Sequence, residues 1–242
     1  MRKGFLFLLA VSCQINAFGQ ITADKLNASD YKNFLTGKFN PDTCKYFEHL
    51  SAEHCDKAGS VLQKETYTAF KKMYQAAKAE GIRLKIISAT RNYSKQKQIW
   101  EAKWIRKDFA KVPPTYERAE KIMKYSSMPG TSRHHWGTDM DLNVLNNEAL
   151  SKGEGKKLYD WLVKNASKYG FCQVYSEKGK KRPDGYEEEK WHWSYLPLAQ
   201  KYLNDYAKHI KAENISGFNG AKSFQEMEVL KKYVLGINSE CR

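Results

Sequence analysis

No stretch of this chain stays apolar for the roughly 20 residues that a bilayer span needs. No run of Lys or Arg exceeds three residues and no nucleic-acid-binding motif is present, so a net charge of +14 does not describe a DNA or RNA reader. A basic balance fits attraction to an anionic polymer, or solubility alone. No cysteine pair has CxxC spacing, which argues against a cysteine zinc site. No internal repeat or low-complexity segment divides the 242 residues, leaving room for one well-buried domain with additions or two small ones. Aromatics are plentiful, with 15 Tyr and 6 Trp, enough for a packed core and an aromatic-lined groove.

Residues 1–19 read as a secretory signal. Arg2 and Lys3 open it, Phe5 to Val11 form a short apolar segment, and Ala17-Phe18-Gly19 offers a small-x-small cleavage site before Gln20. Losing those two cations takes +14 to +12. The expected location is periplasmic or extracellular, with lipid anchoring through Cys13 as the competing reading. Cys44, Cys55, Cys172 and Cys241 remain, an even number that favours disulfides in an exported protein. Of the three possible pairings, Cys44 with Cys55 is the local choice, leaving Cys172 to hold the tail through Cys241.

Residues 20–60 form a polar lead-in expected to pack on a main domain at 61–197, and 198–242 a helical extension. Tyr67, Phe70, Tyr74 and Ala77 recur at helical spacing within Lys64 to Glu80, and Gly81 ends that helix. Leu84 to Ser88 is nearly continuously apolar, which predicts a central strand delivering Arg91 just past its end. Helices are predicted over Lys95 to Lys107, Tyr116 to Tyr125 and Leu158 to Tyr169, then a strand over Phe171 to Tyr175 and an exposed loop at 176–188. Further helices follow at Leu198 to Ala212 and Phe224 to Leu235, the latter opened by a Ser223-x-x-Glu226 capping box.

The chemistry concentrates in Ser132-Arg-His-His-Trp-Gly-Thr-Asp-Met-Asp-Leu-Asn143. Asp139, Asp141 and Asn143 alternate with Met140, Leu142 and Val144, the period of a strand with one polar and one apolar face. Unpaired carboxylates on a buried strand are costly, and a metal is the simplest reason for them. Further on, Trp191, Trp193 and Tyr195 alternate with His192 and Ser194, and Glu189 stands three residues before His192. Three protein ligands leave zinc an open position, and hydrolysis needs a separate carboxylate as base. His134, Asp141 and His192 as ligands, with Glu189 as base, meet both needs. Asp139 could orient a ligand histidine or meet a substrate amine, and His135 could touch substrate or fill space. Gly137 predicts a tight turn or a close backbone approach.

Ser132-x-His134-x-x-Gly137-x-Asp139-x-Asp141, followed by Glu189-x-Trp191-His192, resembles the zinc D,D-carboxypeptidases of the VanY type. Ser88-Ala-Thr-Arg91-Asn-Tyr-Ser-Lys-Gln96 resembles a third family element, and one departure is Asp139 where the family has alanine. The resemblance, over roughly residues 60 to 197, implies an α+β fold: a small antiparallel sheet carrying zinc, flanked by helices, as in zinc D-Ala-D-Ala carboxypeptidases and hedgehog-like proteins. It implies removal of a terminal D-alanine from peptidoglycan stem peptides. Arg91 would bind substrate and stabilise charge at the scissile carbonyl, Ser132 would help hold the terminal carboxylate, and Gln96 would support it. L,D-carboxypeptidase or endopeptidase action, and a non-catalytic wall-binding module, are the alternatives.

Overall fold

The computed structural model describes residues 20–22 and 24–242; the secretory-signal reading of 1–19, Cys13 included, lies outside them. Its centre is a four-stranded antiparallel sheet. Strands β1 (Phe47–His49) and β2 (Val61–Gln63) pair separately, while β3 (Ile86–Ser88), β4 (Asp139–Leu142), β5 (Phe171–Gln173) and β6 (His192–Tyr195) make the larger sheet in the order β3-β4-β6-β5. The helices are α1 (Ala28–Leu35), α2 (Lys64–Ala79), α3 (Tyr93–Trp104), α4 (Lys107–Ala110), α5 (Tyr116–Ile122), α6 (Gly153–Asn165), α7 (Leu196–His209) and α8 (Ser223–Glu226). The architecture is the α+β one.

Alternation along β4 and β6 decides what the sheet does. Met140, Leu142 and Trp193 point into a core shared with Tyr67, Phe70 and Met73 of α2 and Leu158, Trp161 and Leu162 of α6. Burying each such side chain stabilises by about 1.5–3 kcal/mol, and those contributions fix the register. The opposite face, with Asp139, Asp141, His192 and Ser194, is thereby held in place for chemistry. A second core gathers α1, α7 and the C-terminal segment around Trp136, with Tyr31, Phe34, Tyr202 and Tyr206 among its members. The segment before residue 60 shares that core through Ile21, Tyr31, Phe34, Leu35 and Phe47.

Several expectations are corrected. β3 lies at the sheet edge, not its centre; its apolar run is explained by the loop covering it, where Cys55 bridges Ile86 and the Ile86 N–H donates to the His54 carbonyl at 2.8 Å. β4 stops at Leu142, because Asn143 turns to φ 60° and uses its side chain to accept from the Lys85 N–H and donate to the Arg83 carbonyl. No long helix spans Phe224 to Leu235: α8 ends at Glu226, Glu228 adopts φ 50°, and a wide turn follows over Leu230–Val234. Ser223 makes no cap there, since it already sits inside the helix behind Lys222. Cys172 is bonded to Cys241, tying β5 to the C-terminal turn, but Cys44 and Cys55 are free thiols. Cys55 is held against the sheet edge instead.

Candidate metal and catalytic site

The antiparallel register of β4 and β6 sets Asp141 directly opposite His192 and Asp139 opposite Ser194. His134 arrives from the helical turn Arg133–Trp136, which Gly137 ends in the left-handed region at φ 71°. A side chain at Gly137 would also collide with the Phe47 ring, 2.3 Å from where its Cβ would stand, so both the turn and the close approach require glycine.

One ligand atom from each of His134, Asp141 and His192 lies within 4.8 Å of the others. His134 Nδ1 donates to the Ala89 carbonyl at 2.8 Å, which leaves Nε2 as the free lone pair, 3.4 Å from Asp141 Oδ1. His192 Nδ1 approaches the same oxygen at 3.2 Å. All three residues are buried, yet His134 Nε2 and Asp141 Oδ1 have no hydrogen-bond partner. A buried orphan of this kind costs about 1–3 kcal/mol. A divalent cation would satisfy both at once, and two imidazoles with one carboxylate is a donor set suited to zinc with one position left open. Burial opposes ionisation of Asp141, but His134 and His192 facing it hold its carboxyl well below the usual range. Burial depresses His134 below the ordinary histidine value, with the Arg91 charge adding to the effect, which favours the neutral form that a metal ligand needs.

Asp139 is placed differently from one of its two expected roles. It is fully buried and is not among the residues that line the cavity holding the other site residues, which argues against a contact with a substrate amine. Its Oδ1 accepts from Arg133 Nε at 2.9 Å and faces His192 Nε2 at 3.0 Å; its Oδ2 accepts from Thr138 Oγ1 at 2.6 Å and Ser194 Oγ at 3.0 Å. Both oxygens are engaged inside the protein. The carboxylate therefore orients His192 from behind, leaving Nδ1 for the metal side. Burial alone would favour protonated Asp139, but the adjacent Arg133 guanidinium and His192 keep it ionised. Burial likewise works against a charged His192, and Asp139 and Asp141 overcome it, raising that histidine to about 9 before any metal is bound.

Glu189 is the buried member of its acidic run. Its neighbour Glu187 pairs with Lys178 at the surface, and Glu188 is half-exposed. Glu189 Oε2 stands 3.6 Å from His192 Nδ1, and burial pushes its carboxyl up to about 8 against the opposing charge of His192. Glu189, the candidate ligands His134, Asp141 and His192, and Arg91, Ser132 and Gln96 all line one cavity of about 570 Å³. Arg91 is braced rather than loose: Nη1 donates to Ser88 Oγ at 2.6 Å and lies 3.4 Å from Asp141 Oδ2, while Nε donates to Gln96 Oε1 at 3.0 Å. Gln96 then donates from Nε2 to the Ser127 carbonyl at 2.8 Å. Its oxygen and amide are thus used to fix Arg91 and the neighbouring loop, which makes it a positioning residue more than a substrate contact.

His135 does not face the cavity. Its Nε2 accepts from the Gly130 N–H at 3.1 Å, which assigns the Nδ1 proton to the Arg91 carbonyl at 2.6 Å, and burial lowers it to about 3. It is a neutral staple between two loops, behind the arginine. Sequence reasoning passed over Arg133, written only as a variable position, and Lys103, Tyr125, Tyr175 and Tyr186, which also line the cavity. The helical repeat from Gln96 through Ile99 to Lys103 could have found the lysine; no local signal marks the tyrosines.

A sequence profile of the VanY D-alanyl-D-alanine carboxypeptidase family matches residues 59–198. YodJ of Bacillus subtilis (strain 168), assigned by its name to the carboxypeptidases, is 36% identical over 151 residues, covering 60% of this chain and 50% of that protein. The chain thus spans about half the length of that relative. Among solved structures, the vancomycin-resistance D,D-pentapeptidase VanY, crystallised with Zn(II), superposes with a TM-score of 0.51 at 25% identity, covering 67% of this chain and 88% of that one. The LdcB L,D-carboxypeptidase gives 0.52 at 26%, covering 72% and 81%.

Proposed function

This chain belongs to the VanY family of D-alanyl-D-alanine carboxypeptidases, and from that premise we propose an exported zinc peptidase that hydrolyses peptidoglycan stem peptides, removing a terminal D-alanine. The observation that carries the reading is Glu189: a buried carboxylate outside the ligand set, 3.6 Å from a ligand histidine, at the wall of the cavity onto which His134, Asp141 and His192 converge. A binding module would have no use for such a base.

His134 through Nε2, Asp141 through Oδ1 and His192 through Nδ1 would hold the ion. Zinc bound there supplies Lewis acidity to the scissile carbonyl and to water. Glu189 accepts the proton of the attacking water and delivers it to the leaving amine; its buried position makes it a stronger proton acceptor than a surface glutamate. Arg91, fixed by Ser88 and Gln96, presents positive charge where the scissile oxygen becomes negative, and needs little reorganisation to do so. Ser132 lines the same cavity as Arg91, and in this reading it holds the terminal carboxylate.

A second specificity, cleavage of an L,D bond, is favoured by the equal likeness to the LdcB L,D-carboxypeptidase. Incubating the purified chain with pentapeptide and tetrapeptide stems and weighing the products separates the two. Loss of one alanine from the pentapeptide supports D,D cleavage, and loss from the tetrapeptide supports L,D cleavage. Intact peptides with zinc bound would leave a wall-binding module.

A further inference from the structure

Helix α3 presents three side chains to the cavity, Gln96, Ile99 and Lys103, at positions i, i+3 and i+7 of one helical face. Gln96 is engaged with Arg91 and the Ser127 carbonyl, as described above, and Ile99 is apolar. Lys103 has no such commitment. Its ammonium carries three donors, and its one hydrogen bond among the described residues goes to Ser126 Oγ, at 2.6 Å.

The contrast with the other cations of the cavity is in the counter-charge. Arg91 lies 3.4 Å from Asp141 and Arg133 lies 2.9 Å from Asp139. Lys103 forms no ion pair with any described residue, although it is half-buried. A half-buried ammonium with a single hydrogen bond, to a neutral hydroxyl, and no ion pair is incompletely satisfied in the free protein. An anion entering the cavity from outside would correct it. Burial and then the Arg106 charge lower the lysine below its ordinary value, and the charge of Glu189, which lines the same cavity, acts the other way.

We infer that Lys103 and Ser126 form a carboxylate-binding subsite on the α3 wall of the cavity, separate from the metal ligands, which reads one carboxylate of the substrate. The inference rests on the peptidase reading above and adds a specificity determinant to it. A stem peptide offers this chemistry from two sources, the carboxylate at its C-terminus and a carboxylate carried further up the chain. The ammonium donates to either in the same way.

The zinc-loaded enzyme is assayed for kcat/KM on three stem peptides: one with all carboxylates free, one amidated at the C-terminus, and one amidated at the upstream carboxylate. A charged hydrogen bond is worth about 1.5–3 kcal/mol, so Lys103→Met should lower kcat/KM on the free peptide roughly tenfold to a hundredfold. On the peptide whose amidation removes the carboxylate being read, the same variant should change kcat/KM by less than about twofold, and which peptide that is identifies the source. Lys103→Arg should keep most of the preference for the free acid, and Ser126→Ala, which removes one member of the subsite and leaves the charge, should lower kcat/KM on the free peptide by less than Lys103→Met does. Equal losses on all three peptides would assign Lys103 a purely structural role and overturn the subsite, as would no loss on any. A wild-type enzyme that cleaves none of the peptides would show failure of the peptidase reading itself, before any variant is compared.

Discussion

Asp139 Oδ1 lies 3.0 Å from His192 Nε2, and this contact decides which nitrogen of that histidine faces the metal ligands. With Nε2 turned to the carboxylate, Nδ1 is left 3.2 Å from Asp141 and 3.6 Å from Glu189. Arg133, itself buried, balances the charge of Asp139 through Nε and braces Ser194 through Nη2 at 2.7 Å.

Asp139→Asn should therefore weaken zinc binding without removing any ligand. Loss of an outer partner of this type costs about tenfold to a hundredfold in metal affinity. Competition against a chelator measures it, and an unchanged dissociation constant would refute the orienting role. Asp139→Ala should in addition destabilise the fold by about 3–5 kcal/mol, because Arg133 is left buried without its counter-charge.

The metal-free protein should lose stability as pH rises from 7 to 9. His192 is raised from 6.5 to about 9, so its contribution is complete below the unfolded value and disappears as pH climbs toward the folded one. Glu189, raised from 4.5 to about 8, acts in the same direction: the folded state retains a proton that the unfolded state has already released. His134 and His135 are lowered and are neutral in both states above pH 7, about half a unit past their ordinary value, so they do not oppose the trend. Zinc must displace the His192 proton, so stabilisation by zinc should grow over the same window and binding should release protons. Melting curves with and without zinc at several pH values check this; a metal-free melting temperature that rises from pH 7 to 9 would contradict it.

Cys172 and Cys241 close a loop with a sequence separation of 69. Constraining a loop of that size in the unfolded chain stabilises by about 4 kcal/mol, so reduction or Cys172→Ser should lower stability by about that amount. Alkylation of the unfolded, unreduced chain from Gln20 onward should label two thiols, Cys44 and Cys55. Labelling of none would indicate a second bridge.

Gly137→Ala should disrupt the site from outside the ligand set. The positive φ costs of order 1 kcal/mol for a residue with a side chain, and the 2.3 Å approach to Phe47 adds a clash with a core ring. Both stability and zinc affinity should fall, because His134 sits three residues earlier on the same turn.

Much of this site can be read in the sequence, and the reason lies in period two. Met140 and Leu142 need the core, so Asp139 and Asp141 must share the other face, and the same holds for His192 and Ser194 beside Trp193. Whether Asp139 reaches a histidine or a substrate depends on cross-strand register and on Arg133 arriving from a different element, neither of which alternation encodes. The edge position of β3 was hidden because the covering loop at Cys55 buries it as a neighbouring strand would. The break at Glu228 was hidden because Phe224 to Leu235 keeps helical spacing through it. Lys103 was passed over because a lysine on a helix is normally a solvated one, and only the cavity shows otherwise.

The most direct test of the central claim is turnover of a stem peptide by Glu189→Gln, measured together with its zinc content. Glutamine preserves shape and removes the proton acceptor, so zinc should remain at about one per chain, since three ligands are intact, while kcat falls by roughly 10²–10⁴-fold. Turnover near the wild-type rate with zinc in place would remove Glu189 from the role of base and contradict the proposed mechanism.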